Sequence, residues 1–201
     1  MASTKEKITA TALALFAQRG YDGVSVRDIC KQVGIKESSL YYHFPSKQAI
    51  LLSHFENRAA EGMAQLEQAL GDQQGPWGQV SYRMVCQAFF EGYLMDPFCN
   101  QVLRLLQMEQ FHNPDLGEIY ERWMFRVPLA FQGRMFTALV LHPATGEDLA
   151  GAFYGPIHLF AQRWLFRGPL LEERKEAFRQ AAYRHVQRFF QERGTDAWQP
   201  S

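Results

Sequence analysis

The sequence predicts an all-α protein in which a small N-terminal domain of three helices is followed by a larger helical bundle. Apolar residues recur at helical spacing over most of the 201 residues, and no segment shows the alternation expected of a strand. Prolines and glycines interrupt this pattern where helices should start or stop. With 47% hydrophobic and 14% aromatic residues, the chain can bury a substantial core.

The first helix is bounded by clear local signals. Ser3 and Glu6 form a capping-box pattern, and Gly20 is placed to end the helix because glycine tolerates a left-handed conformation. Between these signals, one apolar stripe is predicted to face the core: Ile8, Ala12, Leu15 and Phe16.

The second and third helices follow after short turns. Ser25 and Asp28 predict a second capping box, and Gly34 predicts the end of that helix. Its buried residues are predicted to be Val26, Ile29, Cys30 and Val33. A short third helix is predicted to carry Leu40 and Phe44 inward.

The remainder of the chain is predicted to form six further helices. The first covers 46–70 in one piece, with an apolar side made of Leu51, Leu52, Phe55, Ala59, Met63, Leu66 and Leu70. After a loop at 71–76, the later helices are predicted near 77–95, 97–112, 114–141, 146–167 and 171–193. Pro128 and Pro156 fall inside these patterns and are expected to kink or break them.

Charge and cysteine usage limit the class of protein. The net charge is zero, but residues 1–58 hold eight Lys or Arg and five acidic residues, so a basic head of +3 precedes an acidic remainder. That asymmetry is expected of a protein that contacts nucleic acid. Three cysteines without CxxC spacing, and the lack of any apolar run of membrane or signal-peptide type, predict a reduced cytoplasmic protein.

Residues 23–47 contain the pattern that points to function. Two short helices separated by a glycine-centred turn form the helix-turn-helix plan, in which the second helix enters the major groove of DNA. This second helix, over 36–43, presents polar side chains on the face opposite Leu40. Lys36 at its N-terminus opposes the helix dipole, and a bound phosphate would remove that conflict.

Over residues 6–55 the sequence resembles the tetracycline-repressor (TetR) family of transcriptional regulators. The resemblance rests on three strings in a fixed order, ALFAQRGYDG, SVRDICKQVG and SLYYHFPSKQAILL. It implies a DNA-binding domain over 1–47 and an effector-binding and dimerisation domain over 48–201. It also implies a homodimer that binds a palindromic operator, represses transcription and is released by a small molecule. No cofactor is expected.

The resemblance assigns DNA contacts position by position. Base contacts are expected from Lys36, Glu37 and Ser38, and phosphate contacts from Ser39, Tyr41, His43 and Lys47. Tyr42 lies between the two roles, and Arg27 can reach the backbone or an adjacent base. Lys36 departs from the family, in which Ser, Thr or Asp often caps this helix. Two alternatives stay open: Tyr41 as a packing residue, and Glu37 as an acid that only favours the helix dipole.

The larger domain is rich in aromatic residues, most of which are expected in the core. A minority of them, together with polar residues, could line a cavity between helices. The candidates for contact with a small apolar or aromatic effector are Gln107, Gln110, Phe111, His112, Tyr120, Trp123, Phe153 and His158.

Two other classes of function stay open for this domain. Glu109 and His112 have the Glu-x-x-His spacing used in carboxylate metal sites, and the bundle could instead be a scaffold for dimerisation or protein binding. The sequence contains no hydrolase, metalloprotease, P-loop or dinucleotide fingerprint, so an enzyme is not predicted.

The last two helices are predicted to form the dimer interface. Each carries an apolar stripe, and the resemblance places these helices in a four-helix bundle with their symmetry mates. The predicted interface residues are Phe153, Ile157, Phe160, Trp164, Phe178, Ala182, Val186 and Phe189. The alternative is that both stripes pack inside one subunit.

Overall fold

The computed structural model describes residues 3–53, 55–71, 82–140 and 143–192, and within these ranges all regular structure is helical, which confirms the predicted fold class. The chain forms two compact units. The first contains the chain up to Ala60 together with Gln101–Tyr120, and the second contains Glu61–Asn100 together with the chain from Glu121 onward. The functional division at 47/48 stays a prediction.

Four helices build the N-terminal headpiece of the first unit: α1 (Thr4–Arg19), α2 (Val26–Val33), α3 (Glu37–His43) and α4 (Lys47–Leu52). Both predicted capping boxes are present, with Ser3 and Ser25 as the N-cap residues. Gly20 and Gly34 end α1 and α2 with φ of 75° and 80°. Since a side chain would strain a positive φ, glycine explains why both helices stop where the sequence predicts.

The headpiece packs around a small core whose fully buried members include Ile8, Ala12, Phe16, Ile29, Leu40, Ile50 and Leu51. Phe44 is 2% exposed, as predicted for the end of the third helix. One detail of α1 differs from the prediction: Leu13 is buried and Leu15 is half-buried. The buried face of α1 also includes Thr9, so it is rotated towards Leu13 and leaves Leu15 at its edge.

The predicted single helix over 46–70 is two helices in the structure, α4 and α5 (Phe55–Gly71). Ser53 is the C-cap of α4, and its hydroxyl donates to the carbonyl of Ile50 at 3.3 Å, a local bond that competes with the helical ladder. The first four residues of the predicted apolar side are buried: Leu51, Leu52, Phe55 and Ala59. The side chains of Met63, Leu66 and Leu70 lie outside the described part of the chain.

The remaining helices are α6 (Tyr82–Phe89), α7 (Pro97–Glu109), α8 (Pro114–Glu121), α9 (Val127–Val140), α10 (Pro143–Trp164) and α11 (Glu172–Gln191). Two π-helical segments extend this series. The segment Phe90–Leu94 continues α6, and the segment Arg122–Arg126 joins α8 to α9. The predicted loop at 72–76 and the ends of several predicted helices, at 77–81, 141 and 193, lie outside the described residues.

Neither internal proline ends the helical course of the chain, so of the two expected effects, a kink or a break, the break does not occur. Pro128 directly follows the second π-helical segment, where the N–H of Val127 donates five residues back to the carbonyl of Arg122. Pro156 lies inside α10, which continues from Pro143 to Trp164. The carbonyl that loses its donor there belongs to Ala152, an exposed residue, so water can replace the missing bond.

Helices α9 and α10 of the second unit approach each other closely at Gly146. A Cβ atom at this position would lie 2.1 Å from Thr137 Oγ1 and 2.8 Å from the carbonyl oxygen of Gly133. Both distances are far below van der Waals contact, so glycine is required for this packing.

Candidate functional site

The polar face of α3 is open to solvent while its apolar side anchors the helix. Leu40 is fully buried, whereas Lys36, Glu37, Ser38 and Ser39 are all exposed. Lys36 occupies the N-cap position in an extended conformation, and its side chain makes no capping hydrogen bond. The amides of the first turn of α3 therefore have no side-chain cap from this residue.

The C-terminal half of α3 exposes two tyrosines. Tyr42 is 86% exposed and Tyr41 is 51% exposed, while the half-buried His43 ring meets the Tyr42 ring edge-on at 5.2 Å. Tyrosine at this exposure contributes little to the headpiece core. Tyr41 is the more covered of the two, so a packing role accounts for at most half of its surface.

Arg27 of α2 and Glu37 of α3 form an exposed ion pair. The Nε atom of Arg27 lies 2.9 Å from Glu37 Oε1, and the two side chains are 84% and 44% exposed. Pairs this exposed contribute little to stability. Arg27 and Glu37, both predicted to contact DNA, therefore form an ion pair between the two helices of the helix-turn-helix.

Lys47 makes contacts inside the headpiece that the sequence did not predict; only a phosphate contact was expected of it. Its ammonium donates to the carbonyls of Tyr21 at 2.8 Å and Val24 at 3.0 Å, and it lies 4.0 Å from the centre of the Tyr21 ring. Burial lowers the pKa of Lys47, and the charges of Asp22 and Glu109 act in the opposite direction. Two of its three N–H donors hold the turn between α1 and α2, which leaves one for a ligand.

Helix α7 is attached to the same turn. The backbone N–H of Tyr21 donates to Glu109 Oε1 at 2.9 Å, and Gln101 Nε2 donates to the carbonyl of Leu13 at 3.2 Å. Burial, with a smaller effect of neighbouring acids, raises the pKa of Tyr21 to about 12. Glu109, considered in the sequence as half of a metal-site motif, therefore fastens α7 to the headpiece, while His112 is exposed.

Sequence reasoning missed these attachments because each joins residues 88 positions apart. It also missed Lys5, which lines a groove of about 420 Å³ beside α4. The Lys5 ammonium lies 5.5 Å from the ring of Phe44, and the groove also contains the polar side chains of His43, Ser46 and Gln48. The N-terminal position of Lys5, outside the helix-turn-helix, gave no signal of this placement.

The eight predicted effector residues are divided between the two units. Five of them belong to the first unit: Gln107, Gln110, Phe111, His112 and Tyr120. Phe111 is 84% exposed, and the amide of Gln110 donates to the carbonyl of Gln107 at 2.8 Å. The other three, Trp123, Phe153 and His158, belong to the second unit.

His158 differs from the other candidates because part of it is buried without a partner. Its Nδ1 atom is shielded from solvent and has no hydrogen-bond partner among the described residues. Its ring packs 4.7 Å from Phe125 and 6.2 Å from Tyr154. Burial lowers the pKa of His158, so the imidazole is neutral at physiological pH.

Six of the eight predicted dimer residues are buried within the chain itself. Their exposed fractions are at most 4%, and they are Phe153, Ile157, Phe178, Ala182, Val186 and Phe189. The apolar stripes of α10 and α11 pack inside one subunit because they are the faces that these helices turn inward. Phe160 and Trp164 are half-buried and line a groove of about 420 Å³ on the outer side, with Ala177, Gln180, Ala181, Arg184, His185 and Arg188.

The headpiece is similar in sequence to known bacterial regulatory proteins. Residues 8–53 match the family described as bacterial regulatory proteins, tetR family. The chain is 54% identical over 46 residues to the biofilm operon icaADBC HTH-type negative transcriptional regulator IcaR of Staphylococcus aureus, and 47% identical over 53 residues to that of Staphylococcus epidermidis. These matches cover 23% and 26% of this chain, and 25% and 29% of the relatives, so the chain spans little more than a quarter of either.

Solved structures extend the likeness to most of the chain. A TetR-family transcriptional regulator from Agrobacterium tumefaciens is 20% identical, with 92% of this chain and 96% of that one covered at a TM-score of 0.62. A protein from Saccharomonospora viridis crystallised in complex with choline is also 20% identical, with 88% and 93% covered at a TM-score of 0.58. At these identities the likeness establishes the fold. Across the described residues, every helix is too short or too polar to span a bilayer.

Proposed function

We propose that the chain is a homodimeric transcriptional repressor of the TetR family, whose model matches residues 8–53, and that its α3 helices read a palindromic operator. The observation that carries this proposal is the polar face of α3, exposed around the fully buried anchor Leu40. The match to IcaR, a negative regulator, supports repression as the direction of control. As expected of such a repressor, we place it in the cytoplasm and assign it no enzymatic activity.

The proposed DNA contacts are those that the resemblance to the family assigns. Base edges are read by Lys36, Glu37 and Ser38, phosphates are held by Ser39, Tyr41, His43 and Lys47, and Arg27 and Tyr42 serve either role. The exposure of Tyr42 supports a contact that forms only on binding, because 86% of this side chain is open to solvent in the free headpiece. Short polar side chains on the first turn of a recognition helix have the reach that base edges require.

Dimerisation supplies the second recognition helix. The outer groove of α10 and α11 combines the two half-buried aromatic rings of Phe160 and Trp164 with Arg184 and Arg188, and both residue types are enriched at protein interfaces. A two-fold dimer places two α3 helices on half-sites about 34–36 Å apart, or a multiple of that distance. A single headpiece buries too little surface on DNA for tight specific binding.

An effector in the second unit would control the repressor. Helix α5 carries the chain from the first unit into the second, because the boundary at Ala60 and Glu61 lies inside it. We expect the effector to bind more tightly to a state in which this helix has a different position. A difference of about 1–3 kcal/mol in binding free energy between the two states changes operator affinity about 5- to 150-fold. One structural neighbour was crystallised in complex with choline, which supports the proposal that this fold binds a small molecule.

The test is selection of an operator from random DNA duplexes with the purified full-length protein, followed by salt titration of the selected site. We expect a two-fold symmetric consensus, and a Tyr42→Ala variant that binds it at least tenfold more weakly. The control is Phe111→Ala, which removes an equally exposed aromatic ring outside the proposed interface and should leave DNA binding unchanged. Failure to enrich any sequence, or equal effects of both variants, would refute the proposed function.

A further inference from the structure

The second π-helical segment accepts hydrogen bonds from two tyrosine hydroxyls of the second unit. Tyr93 in the first segment donates to the carbonyl of Trp123 in the second at 3.0 Å, and Tyr154 of α10 donates to the carbonyl of Met124 at 2.7 Å. Pro128 lacks a backbone N–H, so it donates to neither of these two carbonyls. Its missing N–H would serve Met124 in α-helical spacing and Trp123 in π-helical spacing.

An aromatic cluster surrounds this junction, composed of Phe89, Tyr93, Phe125, Tyr154 and His158. The Phe89 ring stacks on Tyr93 at 5.5 Å and meets Tyr154 edge-on at 6.0 Å, and His158 packs against Tyr154 and Phe125. Because each tyrosine spends its single O–H on a backbone carbonyl, the cluster offers ring surface in place of hydroxyl donors. π-Helical turns occur frequently at functional sites.

His158 is the polar exception within the aromatic cluster. Its Nε2 atom lies 3.4 Å from the amide nitrogen Nε2 of Gln162, which is a donor, so His158 Nε2 accepts. A neutral imidazole with an accepting Nε2 carries its proton on Nδ1. The buried Nδ1 is therefore an N–H group without an acceptor among the described residues, and such a group costs about 1–3 kcal/mol.

We propose that the aromatic cluster is the effector site and that the effector is a small uncharged aromatic molecule whose oxygen accepts the Nδ1–H of His158. This inference rests on the proposed function only in calling the ligand an effector. The acceptor oxygen removes the cost of the unsatisfied N–H, and the rings supply apolar contact to an aromatic body. A quaternary ammonium ion could contact the ring faces, but it would offer no acceptor to the Nδ1–H and would leave this group unsatisfied.

The site is tested with matched probes and protein carrying ¹⁵N-labelled histidine. Acetophenone has a carbonyl acceptor, ethylbenzene has the same ring without one, and choline represents a cation. We expect acetophenone to shift the His158 Nδ1 resonance and to bind about tenfold more tightly than ethylbenzene, as expected for one hydrogen bond to a buried donor. A choline response at His158 without an acetophenone response, or no probe response at all, would overturn the proposal.

Two variants separate a binding role from a structural role. His158→Phe keeps a ring but removes the unsatisfied N–H, so we expect unchanged or higher thermal stability and equal binding of acetophenone and ethylbenzene. His112→Phe changes an exposed histidine of the first unit and should retain the tenfold preference. A tenfold preference that survives in His158→Phe would refute the site. Since these readouts need no DNA, they are independent of whether an operator is found.

Discussion

Replacing Lys47 by Met tests whether one ammonium serves both the headpiece and DNA. Methionine keeps the length of the side chain but removes the donors to the carbonyls of Tyr21 and Val24, at 2.8 and 3.0 Å. Hydrogen bonds from a charged donor contribute about 1.5–3 kcal/mol each, and a cation over an aromatic ring about 1 kcal/mol. The lowered pKa of Lys47 shows that desolvation opposes these contacts. We therefore expect a net loss of about 2 kcal/mol in the free energy of unfolding.

The same variant should weaken DNA binding uniformly. If the third N–H of Lys47 holds a phosphate, the slope of log affinity against log salt falls by about 0.9 per protomer, or about 1.8 for the dimer. Urea denaturation measures the first effect and salt titration on specific and random duplexes measures the second. Lys36→Met is the matched control for stability, because Lys36 is exposed and makes no side-chain cap.

The two measurements have separate refutations. A stability loss with an unchanged salt slope would show that Lys47 acts only inside the headpiece, and the phosphate assignment would be wrong. An altered slope with unchanged stability would show that the bonds to Tyr21 and Val24 contribute nothing in solution. A changed sequence preference would instead make Lys47 a base reader.

Three further predictions concern individual contacts. Glu37→Gln removes the exposed ion pair with Arg27, so the free energy of unfolding in urea should change by less than about 1 kcal/mol. Operator selection with this variant should show a changed base preference at one half-site position. A uniform loss of affinity for all sequences would contradict base reading by Glu37. Gly146→Ala forces a Cβ against Thr137 and should cost about 1–3 kcal/mol in urea unfolding, whereas Gly151→Ala, with open space at the same helix, should not destabilise. Tyr154→Phe leaves the buried carbonyl of Met124 without this donor and should cost about 1–3 kcal/mol by the same assay; an unchanged midpoint would mean that another donor replaces it.

Structural features that depend only on a few neighbouring residues, such as helix caps, were predictable from the sequence. The capping boxes at Ser3 and Ser25 and the glycine stops at Gly20 and Gly34 each depend on atoms within four residues, so local composition determines them. The same holds for the exposed face of α3, because one buried residue, Leu40, fixes which side of a two-turn helix faces solvent.

Features that need a distant partner were not predictable. Pro128 was expected to disturb its helix, but the hydroxyls that compensate for it come from Tyr93 and Tyr154, about 30 residues away on either side. The attachment of Glu109 to Tyr21 spans 88 residues and has no local pattern. Periodicity identified the apolar stripes of α10 and α11 but carries no information on whether the same chain or a second copy covers them.

The last prediction therefore compares a residue buried inside the chain with a residue that lines the outer groove of α10 and α11. Phe178 is fully buried within the chain, so Phe178→Ala should destabilise the subunit by about 3–5 kcal/mol. Trp164 lines the outer groove, so Trp164→Ala should leave the subunit folded but weaken the proposed dimer.

Sedimentation equilibrium at micromolar protein measures the association, and circular dichroism reports the fold. Arginines at 184 and 188 flank the groove and would lie near their symmetry mates, so the dimer needs the aromatic contacts to offset charge repulsion. A large rise in the dimer dissociation constant for Trp164→Ala, with an unchanged circular dichroism spectrum, is therefore expected. A monomeric wild type, or a Trp164→Ala variant that dimerises as tightly as the wild type, would place the interface elsewhere.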